Sequence, residues 1–402
     1  MALIVQKFGG SSVADAQRIF HVAEIITKTY QQGNSVCVVL SAQGDTTDDL
    51  IEKAREINPD ASRREMDMLL SCGEQMSIAL MAMAIEKLGF PVVSLCAWQI
   101  GMATDSHHSA AHITKVDCER VKEELDRKRI VLVAGFQGVD RTGDITTLGR
   151  GGSDTTAVAL AVALQADLCQ IYTDVDGVYT SDPRIVPEAR KLSEITYDEM
   201  LELASMGAQV LHNRSVELAK SYGVQLEVLS SFTGNPGTIV KEVVKKVEKT
   251  YITGVAQDKK IARFALVGLE DVPGVAYKLF NLLAKDKINV DMIIQSLGHD
   301  ERKDIIFTVA DKDSMACARL LDENKDVLKY DHMDINTGVS KVSIVGAGML
   351  ENAGVAAKMF EALYQAHINI HMISTSEIKV SVLIDKEDSD RAVRVIHNIF
   401  FQ

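Results

Sequence analysis

The chain has 402 residues, 47% of them hydrophobic and 25% charged, a globular balance with enough length for two or three domains. Its 43 basic and 56 acidic residues leave a net charge of −13, which argues against nonspecific nucleic-acid binding because that requires a basic face. The 6 cysteines contain no CxxC pair and read as thiols of a reducing compartment, and the apolar stretches Ile78–Ile85 and Thr156–Leu164 fall far short of the roughly 20 residues of a membrane helix. Lys7 follows the start too soon for a signal peptide, so a cytoplasmic protein without membrane contact is expected.

Short apolar runs then alternate with longer amphipathic ones. The pattern predicts strands at Leu3–Gln6, Val36–Leu40, Val92–Leu95, Ile130–Ala134, Leu168–Tyr172 and Gln225–Leu229. Between them it predicts helices at Ala14–Tyr30, Arg63–Leu88, Thr114–Arg129, Asp154–Gln165 and Ala208–Tyr222. Strands rich in Val, Ile and Leu, separated by helices, predict an α/β domain with a mostly parallel sheet covered on both faces. Ligands of such sheets sit beyond the carboxyl ends of the strands, so the loops after strands carry the most weight. The turn cluster Gly234-Asn235-Pro236-Gly237 and the charged run Lys241–Lys249 mark a boundary. This gives a first domain over residues 1–240 and a linker over 241–252.

Past the linker the sequence repeats itself with an offset of 80 positions. Gly274-Val275-Ala276 recurs as Gly354-Val355-Ala356, Ile288-Asn289 as Ile368-Asn369, and Met292-Ile293 as Met372-Ile373. Each copy reads strand, turn, helix, turn, strand, strand. The two modules, 253–338 and 339–402, are expected to pack side by side into one continuous sheet.

Three loops carry candidate chemistry. Lys7-Phe8-Gly9-Gly10-Ser11-Ser12-Val13 joins the first strand to the first helix. It offers close backbone approach, hydroxyl donors and a mobile cation, which together suit a triphosphate, although it is not a Walker A loop. Leu148-Gly149-Arg150-Gly151-Gly152-Ser153-Asp154 opens a second helix with a second cation. Two glycine turns, each with one cation, form a pincer for two anionic ligands. Tyr172–Arg184 follows another strand, and its carboxylates suit Mg2+ directly or through water, without the spacing of an EF-hand. His107, His108 and His112 lack a Glu or Cys at zinc-ligand spacing and read as loop histidines. Val345-Gly346-Ala347-Gly348 has Glu351 where a dinucleotide fingerprint needs its third glycine.

Lys7–Val13 resembles the opening signature of the aspartate kinases, within the amino-acid kinase superfamily. Four further stretches match in order: Leu40–Asp48, Leu70-Ser71-Cys72-Gly73-Glu74, Gly135-Phe136-Gln137-Gly138 and Gly149–Asp154. The repeated tail is similar to a pair of ACT modules, which bind regulatory amino acids. Ser11 and Ala134 are small departures at positions where Thr is common. The resemblance implies an amino-acid-kinase three-layer α/β fold with a mostly parallel sheet, followed by two α+β ACT modules. It also implies transfer of the γ-phosphoryl of Mg2+-ATP to the side chain of L-aspartate, the first step toward lysine, threonine and methionine.

By the same resemblance Lys7 would meet the transferring phosphate, and Gly9, Gly10 and Ser41 the other phosphates. Asp45, Thr47, Glu74, Arg150 and Gly151 would hold aspartate, with Ser153 and Asp154 positioning Lys7 and the reacting groups. Thr173, Asp174, Tyr179 and Arg184 would line the nucleotide site. No tightly bound structural metal is implied. In the first ACT module Asp271, Gly274, Asn289, Asp291 and Gln295 would meet lysine or threonine, with Glu351, Asn369 and His371 in the second. Effector binding between paired modules implies a homo-oligomer. Other readings are a kinase for glutamate or acetylated glutamate, a fusion with a homoserine dehydrogenase, and a non-catalytic amino-acid sensor. The intact Lys7, Arg150 and Asp154 count against the last.

Overall fold

Val5, Phe8, Val36–Leu40 and Ile130–Ala134 are buried without alternation, as strands enclosed between two helical layers require. The structure, a computed structural model, describes residues 2–205, 210–244, 252–296, 302–349, 352 and 354–402. It divides into two compact units, the first holding the described parts of residues 1–179, 191–205 and 209–245.

In the first unit the chain runs β1 (Leu3–Phe8), α1 (Ala16–Gln31), β2 (Ser35–Leu40), α2 (Thr46–Ile57), α3 (Arg63–Leu70), α4 (Cys72–Lys87) and β3 (Val92–Leu95). It continues through β4 (Met102–Thr104), β5 (Ile113–Val116), α5 (Glu119–Asp126), β6 (Ile130–Ala134), β7 (Gln137–Val139), β8 (Ile145–Thr147), α6 (Gly152–Leu164) and β9 (Leu168–Thr173). It ends with β10 (Glu194–Thr196), α7 (Tyr197–Leu203), α8 (Asn213–Tyr222), β11 (Leu226–Ser230) and β12 (Thr238–Lys241). The main sheet has the order β10-β12-β11-β9-β1-β2-β6-β3. Every neighbouring pair is parallel except β11 with β12.

Alternation decides which layer each side chain joins. Val36, Val38 and Leu40 of β2 pack with Phe8, Val22, Ile26, Met81 and Ile85 beneath α1 and α4. Val39 faces the other way, toward the start of α6. Each large side chain buried here stabilises the fold by about 1.5–3 kcal/mol. The helical stretch 63–87 contains an 18-residue window apolar enough to match a membrane span, longer than the sequence reading allowed, but half of that window is buried in the core.

Three of the expected helices need correction. The expected helix Thr114–Arg129 divides into β5 and α5, with a turn between them in which Asp117 accepts the Glu119 N–H at 3.2 Å. The expected helix Arg63–Leu88 breaks at Ser71, whose hydroxyl donates to the Met68 carbonyl at 2.9 Å. The helix expected from Ala208 begins at Asn213 in the described residues, with Ala208 outside them. A further sheet, β5-β4-β7-β8, and α2, which buries no residue fully, had no counterpart in the reading.

The second unit holds the described parts of residues 180–190 and 246–402. Its elements are β13 (Gly254–Asp258), β14 (Ile261–Glu270), α9 (Val275–Lys285), β15 (Val290–Gln295), β16 (Arg302–Ala310), α10 (Ser314–Glu323), α11 (Lys325–Leu328) and β17 (His332–Asn336), then β18 (Val339–Val345), α12 (Val355–Gln365), β19 (Met372–Thr375), β20 (Lys379–Asp385) and α13 (Ser389–Phe401). The repeat is visible in backbone detail: Gly274 opens α9 at φ +97° and Gly354 opens α12 at φ +94°. The copies do not share one sheet. They form separate sheets, β15-β16-β14-β17 and β13-β18-β20-β19. β17 pairs with β14 and β13 with β18, so each copy completes its own four-stranded sheet with a strand from outside the repeat. Instead Ile261 and Met292 of the first copy cluster with Val339, Met372 and Leu383 of the second. Linker residues 245–251 lie outside the described residues.

Candidate active site

The carboxyl ends of β9, β1, β2 and β6 stand side by side. Their loops are bonded to one another. Ser41 N–H donates to the Phe8 carbonyl at 3.1 Å, Gly44 N–H to the Gly10 carbonyl at 3.1 Å, and Gly135 N–H to the Leu40 carbonyl at 3.0 Å. A Cβ on Gly10 would lie 2.6 Å from the Ala42 carbonyl oxygen, so only glycine lets these two loops close.

Lys7, near the end of β1, is buried, and its Nζ lies 2.7 Å from Oδ1 of Asp154. Asp154 stands in the first turn of α6, where a carboxylate also meets the positive end of the helix. A Cβ on Gly9 would lie 3.5 Å from the same Nζ. The ion pair therefore joins the two glycine turns that the sequence singled out. Ser153 packs where a Gly135 side chain would be: a Cβ there would come within 2.7 Å of it. Arg150 is exposed and makes no ion pair among the described residues.

Glu74 is buried in the first turn of α4. Its Oε1 accepts the Ala42 N–H at 3.2 Å, and Oε2 has no hydrogen-bond partner among the described residues. Burial pushes its pKa up to about 8, against the smaller opposing effect of backbone N–H donors. A carboxylate left this way calls for a cation from a ligand. Asp45 and Thr47 sit at the start of α2, exposed and half-buried respectively.

Residues 2–230 match the Amino acid kinase family, and residues 264–324 and 342–400 match the ACT domain. The chain is 50% identical to the aspartokinase of Mycolicibacterium smegmatis over 100% of this chain and 96% of that protein. It is 48% identical to the aspartokinase of Bacillus sp. (strain MGA3) over 100% of this chain and 97% of that protein. The chain belongs to the aspartokinase family. Among solved structures of that family, E. coli aspartokinase III in complex with aspartate and ADP is similar over 100% of both chains, with a TM-score of 0.84 at 26% identity. The same protein in complex with lysine and aspartate gives a TM-score of 0.79, again at 26% identity and over 100% of both chains.

The remaining candidates of this aspartokinase-family chain are more scattered. Thr173 ends β9, and its hydroxyl accepts the Val175 N–H at 3.0 Å. Asp174 is exposed and makes no hydrogen bond or ion pair among the described residues. Tyr179 donates its hydroxyl to Asp176 at 2.8 Å, and Lys191 reaches the same carboxylate at 3.3 Å. Arg184 belongs to the segment 180–190 of the second unit, where its 88% exposed side chain pairs with Asp182 at 2.7 Å. In the ACT modules Asp271 pairs with Lys303 at 3.0 Å and Asp291 with Lys341. Asn289, Gln295 and Asn369 are exposed. His371 lies 2.9 Å from Asp385, and Glu351 is outside the described residues.

His107 and His112 are exposed beside Asp105, as expected of loop histidines, but His108 is half-buried with Nδ1 3.1 Å from Asp67. His108, Asp140 and Asp144 bring ligand atoms within 4.8 Å of one another. Their carboxylates are already met, Asp140 by Ser106 and Thr142, and Asp144 by Arg64. The sequence reading passed over Asp67, which is buried, and Arg214, which is half-buried, two charged residues that touch the Arg150 loop. Neither lies in a glycine-rich turn, and the only trace in the sequence is a polar residue on an otherwise buried helix face.

Proposed function

We propose that this chain phosphorylates the side-chain carboxylate of L-aspartate with ATP, giving 4-phospho-L-aspartate and ADP. The observation that carries this reading is the Lys7–Asp154 contact, which brings a phosphate-type glycine turn and an acceptor-type glycine turn to one place. Aspartate's side chain ionises at about 3.9, so the nucleophile needs no base at pH 7. The obstacle is bringing an anion up to a polyanion. Lys7, released in part from Asp154, neutralises charge on the transferring phosphoryl group, and the amides of the Gly9-Gly10 turn cradle its neighbours. The new oxygen–phosphorus bond forms in line with the bond that breaks to ADP. Arg150 offers two parallel donors to the α-carboxylate, and the orphan Oε2 of Glu74 meets the α-ammonium.

Asp174 supplies a free carboxylate oxygen suited to Mg2+ carried in with ATP, and the ion would neutralise phosphate charge. Thr173 and Tyr179 would line the nucleotide beside it. The paired ACT modules take lysine, threonine or both as feedback effectors, within a homo-oligomer. A coupled ADP-release assay against aspartate, glutamate and N-acetylglutamate tests the reading. Turnover restricted to aspartate is expected, and turnover of either glutamate compound in its place overturns the acceptor assignment.

A further inference from the structure

The loop that carries Arg150 is bracketed by two charges of opposite sign, a buried Asp67 and a half-buried Arg214. Asp67, on α3, has no exposed surface. Its carboxylate accepts the N–H of Thr147 at 3.0 Å and the hydroxyl of the same residue at 2.7 Å. Arg214, in the first turn of α8, donates to the carbonyl of Leu148 at 3.1 Å and to that of Ala111 at 2.9 Å. One charge thus holds the donor of residue 147 and the other holds the acceptor of residue 148, at the end of β8 and just ahead of Arg150.

The rest of the loop is fixed in the same way. Ala111 N–H donates to the Thr147 carbonyl at 2.9 Å, and Ser109 N–H donates to Asp67 at 2.9 Å. A Cβ on Gly149 would come within 3.0 Å of the Ser109 carbonyl oxygen. On the other side Gly151, at φ +68°, passes so close to His212 that a Cβ would lie 2.2 Å from its Cγ. The backbone is held along its length, while the Arg150 side chain stays exposed and unpaired among the described residues.

This arrangement is costly for a plain surface turn. Burying a charge is unfavourable unless strong hydrogen bonds satisfy it. Arg214 has no carboxylate in ion-pair contact among the described residues, and Asp67 has only His108. Both spend their charge on residues 147–148 and on the 109–111 segment packed against them. Bidentate recognition of a carboxylate needs a guanidinium held to within about 10–20° of its productive orientation. We propose that Asp67 and Arg214 are positioning residues that lock the backbone at Thr147 and Leu148 from either side, so that Arg150 meets the carboxylate of the amino-acid acceptor in one orientation. The proposal rests on the aspartate-kinase reading and goes beyond it, because neither residue is among those assigned to hold a substrate.

The test uses the full-length enzyme, with kcat, both KM values and melting temperature measured together. Arg214→Lys keeps the charge but loses the rigid planar fork whose two nitrogens each meet one carbonyl. It is expected to raise the aspartate KM about tenfold, with the ATP KM within about twofold. In an Arg150→Ala background the same change should add little, because its effect runs through Arg150. Asp67→Asn makes the same test from the other side of the loop. Glu124→Gln controls for loss of a buried charge as such: that carboxylate is met by Arg120, Arg127 and Arg129 near the opposite end of β6. It should lower the melting temperature and leave the aspartate KM alone.

Equal rises in both KM values, or an Arg214→Lys effect undiminished in the Arg150→Ala background, overturn the clamp. Should Arg214→Lys fail to fold, Asp67→Asn decides by the same criteria, and loss of folding in both variants overturns a role specific to the acceptor. An unaltered enzyme that releases no ADP with aspartate overturns the underlying reading instead. An active Arg214→Lys enzyme with an unchanged aspartate KM overturns the clamp alone.

Discussion

Lys7 Nζ and Asp154 Oδ1 stand 2.7 Å apart and tie the end of β1 to the first turn of α6. Each satisfies the other, so neither of these largely buried side chains is left charged and unpaired. A triphosphate would compete for Lys7. Lys7→Ala should therefore cut kcat by roughly 10²–10³, while aspartate still raises the melting temperature by mass action. Asp154→Asn should lower kcat less, because the cation survives without its guide. Stopped-flow or coupled assays of both variants check this, and near-normal turnover in Lys7→Ala contradicts the assigned role.

Glu74 gives the site a pH dependence with a definite sign. Its pKa of about 8 means that below pH 8 the free enzyme holds a proton there, whereas an α-ammonium selects the carboxylate. Aspartate binding should then release a proton. The aspartate KM should fall about tenfold per pH unit as pH rises toward 8, and Glu74→Gln should flatten that slope while weakening binding. Stability runs the other way. Between the ordinary value of 4.5 and about 8 the folded chain binds a proton that the unfolded chain lacks, so stability declines as pH rises through that window. Glu74→Gln should melt higher than the unaltered protein at pH 8 and close to it at pH 4.5. Equal melting temperatures at both values would remove the buried-proton argument.

Gly10→Ala tests the closure of the two phosphate-side loops. The added methyl would lie 2.6 Å from the Ala42 oxygen and 3.2 Å from the Gly44 oxygen, both backbone atoms that cannot rotate away. Either the Gly44–Gly10 hydrogen bond opens or the Gly10 turn shifts outward. The expected result is a raised ATP KM, about tenfold, with a smaller change for aspartate. Steady-state kinetics with each substrate varied in turn would decide it.

The strands of the main sheet were legible because they are continuous apolar runs: β2, β3, β6 and β9 fall within a residue or so of their expected limits, while β1 runs two residues past its expected end and takes in Lys7. The two glycine turns were legible because glycine and a lone cation at a strand end have few other uses. What escaped was whatever depends on contacts distant in sequence. β5 was hidden because Thr114-Lys115-Val116 extends a helical pattern, and only pairing with β4 makes it a strand. Asp67 and Arg214 meet Thr147 and Leu148 across 80 and 66 positions, a separation no local pattern encodes. The two-sheet arrangement of the ACT modules failed for a related reason. Sequence symmetry fixes each copy but not the edge partner, which β13 and β17 supply from outside the repeat.

Lys341 and Asp291 bear on regulation. Lys341 is buried on β18 of the second ACT copy, and it reaches Asp291 on β15 of the first. Asp291 is one of the residues expected to meet an effector, yet its carboxylate is already taken by an internal ammonium. An incoming amino acid that uses its own ammonium there must compete with Lys341, and this costs affinity. Lys341→Met keeps the length and packing of the side chain and removes the competitor. The half-exposed Asp291 keeps its solvation, so little stability should be lost. The variant should be inhibited by lysine or threonine at lower concentrations, with kcat unchanged when no effector is present. Inhibition curves measured with each amino acid singly and together would show this. A curve that does not move, in an enzyme that remains inhibitable, would take Asp291 out of the effector site and leave the ion pair as a tie between the two sheets.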